Sequence, residues 1–101
     1  MKDTLYLLAP GFEDPVYPGK TFYCWHCALM EGVLASFPGL APMLDVRRIP
    51  WPRPRREVAD LLGEDNQSLP VLVLGDGGFI NDKDAILAAL TERHGFPHPH
   101  P

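Results

Sequence analysis

The 101-residue sequence predicts an α/β domain with a mixed four-stranded sheet flanked by helices. Three observations carry this. Short apolar runs alternate with stretches of helical spacing. A strand-helix-strand order at the start demands a crossover and so favours parallel pairing of the first two strands. Two later strands are joined by a glycine-rich turn, which forces them antiparallel.

The elements follow in order. Leu5 to Leu8 is a short apolar run closed by Ala9-Pro10-Gly11 and reads as a buried strand. Residues 10 to 20 hold three prolines, two glycines and the acids Glu13 and Asp14, a long loop for so small a domain. From Cys24 to Phe37 the spacing becomes helical: Cys27, Met30, Leu34 and Phe37 share a face, and Pro38-Gly39 ends it. Leu44, Val46 and Ile49 alternate with Asp45, Arg47 and Arg48 as in a half-buried strand. Arg55 to Leu62 forms one or two helical turns, with Val58, Leu61 and Leu62 expected inward and Gly63 as the stop. Val71 to Leu74 is a continuous aliphatic run, expected of a central strand. Asp76-Gly77-Gly78 turns it into a partner strand at Phe79-Ile80. Asn81 or Asp82 caps a last helix with Ile86, Leu87 and Leu90 inward. The domain is expected over 1–95. The Pro/His tail over 96–101 cannot be helical and is expected to lie loose.

Composition bounds the function. Hydrophobic residues make up 46%, ordinary for one globular domain, and the net charge of −4 argues against a general nucleic-acid binder. No apolar run approaches the roughly 18 residues of a membrane span, and the N-terminus lacks the pattern of a signal peptide. The expected location is cytoplasmic. In that compartment Cys24 and Cys27, the two cysteines of the chain, read as redox-active or metal-binding rather than as a structural bridge.

Cys24-Trp25-His26-Cys27 is the stretch with the most chemistry. A thiolate at a helix start meets unsatisfied N–H groups and a partial positive charge, which favour it over the thiol. Cys27, three residues on, lies on the same helix edge, within reach of the Cys24 sulfur. His26 adds a positive charge or a hydrogen bond, and Trp25 stands at the mouth. Two other readings of the pair stay open. It could be a small apolar part of the core, or it could hold Zn or an Fe–S cluster shared across a dimer. One Cys pair falls short of four structural ligands, so no metal site is assigned. His94, near the end of the last helix, suits the helix dipole.

Arg53, Arg55 and Arg56 crowd the start of the short second helix, where cations are disfavoured and a bound anion would relieve them. The alternative is a solvated basic loop paired with nearby acids. Trp51 is read equally as a core anchor or a ligand contact.

The order of elements, Cys24-x-x-Cys27 at the first helix and Ser68-Leu69-Pro70-Val71-Leu72 before the central strand resemble the thioredoxin superfamily. The motif itself is similar to the C-x-H-C sites of disulfide isomerases and bacterial disulfide oxidases. The resemblance implies a thioredoxin-like fold and a cis Pro70 beside the Cys pair. It also implies that Leu69 offers backbone groups to an extended substrate. Asp82-Lys83-Asp84-Ala85-Ile86-Leu87 resembles the glutathione-binding motif of glutaredoxins and of glutathione transferase N-terminal domains, with Lys83 in place of the usual Ser. It implies that Asp82 takes the γ-glutamyl end of glutathione and that the Arg53–Arg56 stretch takes the glycine carboxylate. The whole chain is similar to a bacterial domain family of unknown function with that fold. The resulting expectation is a glutaredoxin-like thiol–disulfide oxidoreductase. Cys24 attacks, Cys27 resolves and His26 tunes. Glutathione or a protein thiol or disulfide is the partner, and no cofactor is tightly bound. A non-catalytic glutathione- or protein-binding module of the same fold is the alternative.

Overall fold

A computed structural model describes residues 2–101. Strand β1 (Thr4–Leu8) leads through a long loop into helix α1 (Trp25–Ser36). A single turn of 3-10 helix at Ala41–Met43, which the sequence pattern did not announce, precedes β2 (Asp45–Ile49). Helix α2 (Arg56–Leu62), β3 (Val71–Val73), β4 (Phe79–Ile80) and α3 (Lys83–His94) complete the chain. The sheet order is β2-β1-β3-β4. β1 and β2 run parallel, with Leu5 opposite Val46 and Leu8 opposite Ile49. β1–β3 and β3–β4 are antiparallel. The four-stranded mixed sheet is thus as expected, and its layout is compatible with a thioredoxin-like fold.

Strand alternation decides which helix packs where. Leu5, Leu7 and Leu72 face Cys27, Met30 and Leu34 of α1 and Ile86, Ala89 and Leu90 of α3. Tyr6, Ile49 and Val71 face Val58 of α2 on the other side. Two helices therefore cover one face and one covers the other, because successive side chains of β1 and β3 point to opposite faces. Leu61 does not join this core: it is exposed, and Ala59 takes the inward position.

Local chemistry sets the element ends. Asp82 caps α3 by accepting the Ala85 N–H at 2.9 Å. Gly95 ends α3 at φ 74°, a left-handed conformation that only glycine adopts without penalty. That turn sends Phe96 back into the core, where it is 2% exposed. The first residue of the Pro/His run is therefore packed rather than loose. The edge strand β2 carries its charges outward: Arg47 pairs with Glu57 of α2, and Arg48 forks onto Glu31 of α1 at 2.8 and 2.6 Å. Charged edges of this kind blunt pairing with other chains. No helix among the described residues is long and apolar enough to cross a membrane.

Candidate functional site

The C-terminal end of β1 and the start of α1 bring the two cysteines together. Cys24 is the N-cap of α1, in extended conformation, and its sulfur accepts the Cys27 N–H at 3.2 Å. A sulfur here stands where Ser, Thr or Asp usually caps, taking up one of the orphan N–H groups of the first turn. Cys24 is half-buried, and both cysteines are free thiols. Cys27 lies one turn deeper, 2% exposed, and its sulfur accepts the Leu8 N–H at 3.3 Å. Burial, and then the hydrogen bond with Cys24, push the Cys27 thiol up to about 12. Desolvation of a thiolate is the main cause; the Leu8 N–H opposes it only in part.

The Leu69–Pro70 bond is cis, and the Cys24 sulfur lies 3.9 Å from the Leu69 carbonyl oxygen. The rings of Trp25 and His26 rest against each other at 3.8 Å. Trp25 is exposed, and the Lys83 ammonium sits 5.9 Å from its ring centroid. That contact brings Lys83, the first residue of α3, beside Trp25. Among the described residues His26 makes no hydrogen bond to either sulfur. No group of three or more His, Cys, Asp or Glu side chains gathers among the described residues as a metal site would need.

The long loop shapes the other wall. Phe12 and Phe22 form a backbone bridge, with N–H to carbonyl distances of 3.1 and 2.7 Å in the two directions. Phe12 stacks on Trp51 at 5.5 Å, and Tyr17 meets Phe22 edge-on at 5.8 Å. Trp51 is thus a core anchor for the loop. Beneath it lies a cleft of about 530 Å³, lined among others by Leu8, Pro10, Phe22, Tyr23, Cys24 and Cys27. Its size falls in the range of small-ligand pockets. Glu31, the charged residue on its wall, is already tied to Arg48.

The three arginines part company. Arg56 is exposed and faces Asp60 at 3.8 Å, a surface pair of little weight. Arg53 stays in the loop, near enough to Arg55 to disfavour its charge. Arg55 is 7% exposed, contrary to the open basic patch expected. Its Nε donates to the Trp51 carbonyl at 2.9 Å and its Nη1 to the Gln67 carbonyl at 2.8 Å. Its Nε and Nη1 thus serve the backbone rather than standing free for an anion. Gln67, which the sequence reading passed over, is equally buried and accepts the Arg55 N–H through Oε1 at 2.7 Å. Nothing local marks it, because its partner is twelve residues away.

A model of one protein family matches residues 2–98, almost the whole chain. The chain belongs to the DUF3088 family. That family is described as a protein of unknown function, so membership supplies a fold unit and no substrate. No curated protein and no solved structure matches the chain. For this DUF3088 chain the chemistry must therefore be argued from the nearby Cys24 and Cys27 in their small α/β domain.

Proposed function

We propose that this protein is a small thiol–disulfide oxidoreductase with Cys24 as the nucleophile and Cys27 as the resolving thiol. One observation carries the reading. The Cys24 sulfur caps α1 at a half-exposed position beside the Leu69 carbonyl, while Cys27 lies protonated and buried directly behind it. The order of reaction follows from that asymmetry. The Cys24 thiolate attacks a substrate disulfide R–S–S–R′, forming Cys24–S–S–R and releasing R′–S⁻. Cys27 then gives up its proton and attacks the Cys24 sulfur. The products are the Cys24–Cys27 disulfide and R–S⁻, which takes up a proton. Two electrons have passed from the protein dithiol to the substrate, and two external thiols restore them.

The substrate would lie along Leu69, whose carbonyl oxygen lies 3.9 Å from the Cys24 sulfur and which is joined to Pro70 by a cis bond. Glutathione or a protein thiol is the proposed partner, in a cytoplasmic setting where a reactive pair stays reduced. For glutathione, Asp82 suits the ammonium and Arg53 a carboxylate.

The test is trapping. Incubated with a disulfide substrate, Cys27→Ser should accumulate a mixed disulfide on Cys24, seen as a mass increase that dithiothreitol removes. Cys24→Ser should give none and lose turnover by at least about a hundredfold. Equal labelling of Cys24→Ser and Cys27→Ser, or turnover that survives in Cys24→Ser, would sink the proposal.

A further inference from the structure

We propose that the cleft beside Cys24 selects the substrate: a protein disulfide whose cysteine is flanked by a large apolar side chain, which the cleft receives. This rests on reading Cys24 as the attacking thiol, and of glutathione and a protein thiol it favours the protein. Both cysteines line the cleft, so a group seated in it lies beside the sulfur under attack. Leu8, Phe22, Tyr23 and Ala28 give it apolar surface, and Phe22 and Tyr23 come from the long loop between β1 and α1. A cleft of about 530 Å³ has room for one aromatic side chain with adjoining backbone.

Charge separates the two partners. Among the described residues the charged one on the wall is Glu31, and both its oxygens are taken by Arg48 at 2.8 and 2.6 Å. No cation lines the cleft to meet a carboxylate of glutathione, and the Glu31 carboxylate repels one. A neutral apolar group meets neither cost. The rim separates a macromolecule from a small apolar thiol. Tyr23 and Trp25, on either side of Cys24 in the chain, are 65 and 68% exposed. Tyr17, edge-on to Phe22, is exposed as well. A small molecule held in the cleft leaves such a rim in water, whereas a protein segment lying across it covers the rings; Tyr and Trp are the side chains that protein contacts favour. In the chemical step the Cys24 thiolate attacks the flanked cysteine of the partner. One disulfide forms between the two proteins, the partner's own disulfide breaks, and its second cysteine leaves as thiolate.

The experiment follows mixed-disulfide formation on Cys24 by mass, in the whole chain carrying Cys27→Ser. The probes are the disulfide dimers of tripeptides with cysteine flanked by Phe, by Ser or by Asp, and oxidised glutathione. Each rate is divided by that of the same probe with free cysteine, which removes differences in intrinsic reactivity. The Phe probe should react at least about tenfold faster than the Ser probe, and the Asp probe and glutathione no faster than the Ser probe. Ala28→Phe fills the cleft from an exposed position on α1 and should cut the Phe-to-Ser ratio by about fivefold or more. Should that variant fail to fold, Thr21→Trp narrows the same cleft from the exposed loop and should do the same. A longer Phe-flanked peptide, extended on both sides, should outpace the tripeptide, and Trp25→Ala should remove that gain. Equal rates for the Phe and Ser probes, glutathione as fast as the Phe probe, or a ratio that survives the filled cleft would each overturn the inference and leave the oxidoreductase reading standing. If the longer peptide gains nothing over the tripeptide, the occupant is a small apolar thiol and the inference also falls. If no probe forms a mixed disulfide, the oxidoreductase reading itself falls.

Discussion

Asp3 ties the two termini of the chain together at the end of β1 remote from the cysteines. Its carboxylate is 2% exposed, yet it receives Arg93 through two donors at 2.7 and 2.9 Å, His94 at 2.8 Å and the Gly75 N–H at 2.8 Å. The Arg93 hydrogen bond is the largest cause holding its carboxyl well below the usual carboxylate range, and burial opposes it. A depressed folded-state value means stability that is fully present above about pH 4 and lost as the pH falls through the native value. Asp3→Asn keeps the shape and an acceptor but loses the charge. It should destabilise by about 3 kcal/mol at neutral pH, measured by urea unfolding. The gap from wild type should narrow below about pH 4, because wild type then loses what the variant never had. A gap that is constant down to pH 2 would refute the assignment. Sequence reading gave His94 only a dipole role, because the carboxylate it meets is ninety-one residues away and Asp3 looks like any polar residue before a strand.

At the scale of elements, α1 and the loop before it divide the work. The helix was legible because its cues are local: apolar spacing of Cys27, Met30 and Leu34, and Pro38-Gly39 as the stop. The loop was legible only as a loop. Its order comes from Phe12, Phe22 and Trp51, whose meeting across the chain no periodicity encodes. Phe22, which meets Phe12 in this group, also lines the cleft beside Cys24. Phe22→Ala should remove one side of the Phe12 bridge packing, at about 1–2 kcal/mol for a half-buried ring. The helix cap would remain intact. Bulky maleimides should then alkylate Cys24 several-fold faster, while small iodoacetamide gains little. The Phe12 and Phe22 amides should exchange hydrogen faster in parallel. Equal gains for both reagents would mean that the loop does not gate access by size.

The whole molecule is a three-layer packing in which α3 closes the face that α1 opens. The order of strands and helices was readable because each apolar run is bounded by Pro, Gly or capping residues. The strand order β2-β1-β3-β4 was only partly readable, since nothing local tells β3 to pair with β1. The C-terminus shows the same limit. Phe96 opens a Pro/His run, and composition alone assigns it to the tail. The left-handed turn at Gly95 reverses the chain, the Phe96 N–H reaches the Leu90 carbonyl at 3.3 Å, and its ring meets Phe37 edge-on at 6.1 Å. Phe96 thus staples the end of α3 to the end of α1, the helix that carries the cysteines. Cutting the chain after Phe96 should change stability by less than about 1 kcal/mol, since the residues beyond it are exposed. Cutting before Phe96 should cost about 3 kcal/mol, as for loss of a buried aromatic ring. Thermal unfolding of the two truncations compares them directly. The shorter one should also alkylate Cys27 faster, because the far end of α1 has lost its partner and the helix opens more often. If both truncations melt together, Phe96 is no part of the core and the packed unit ends at Gly95.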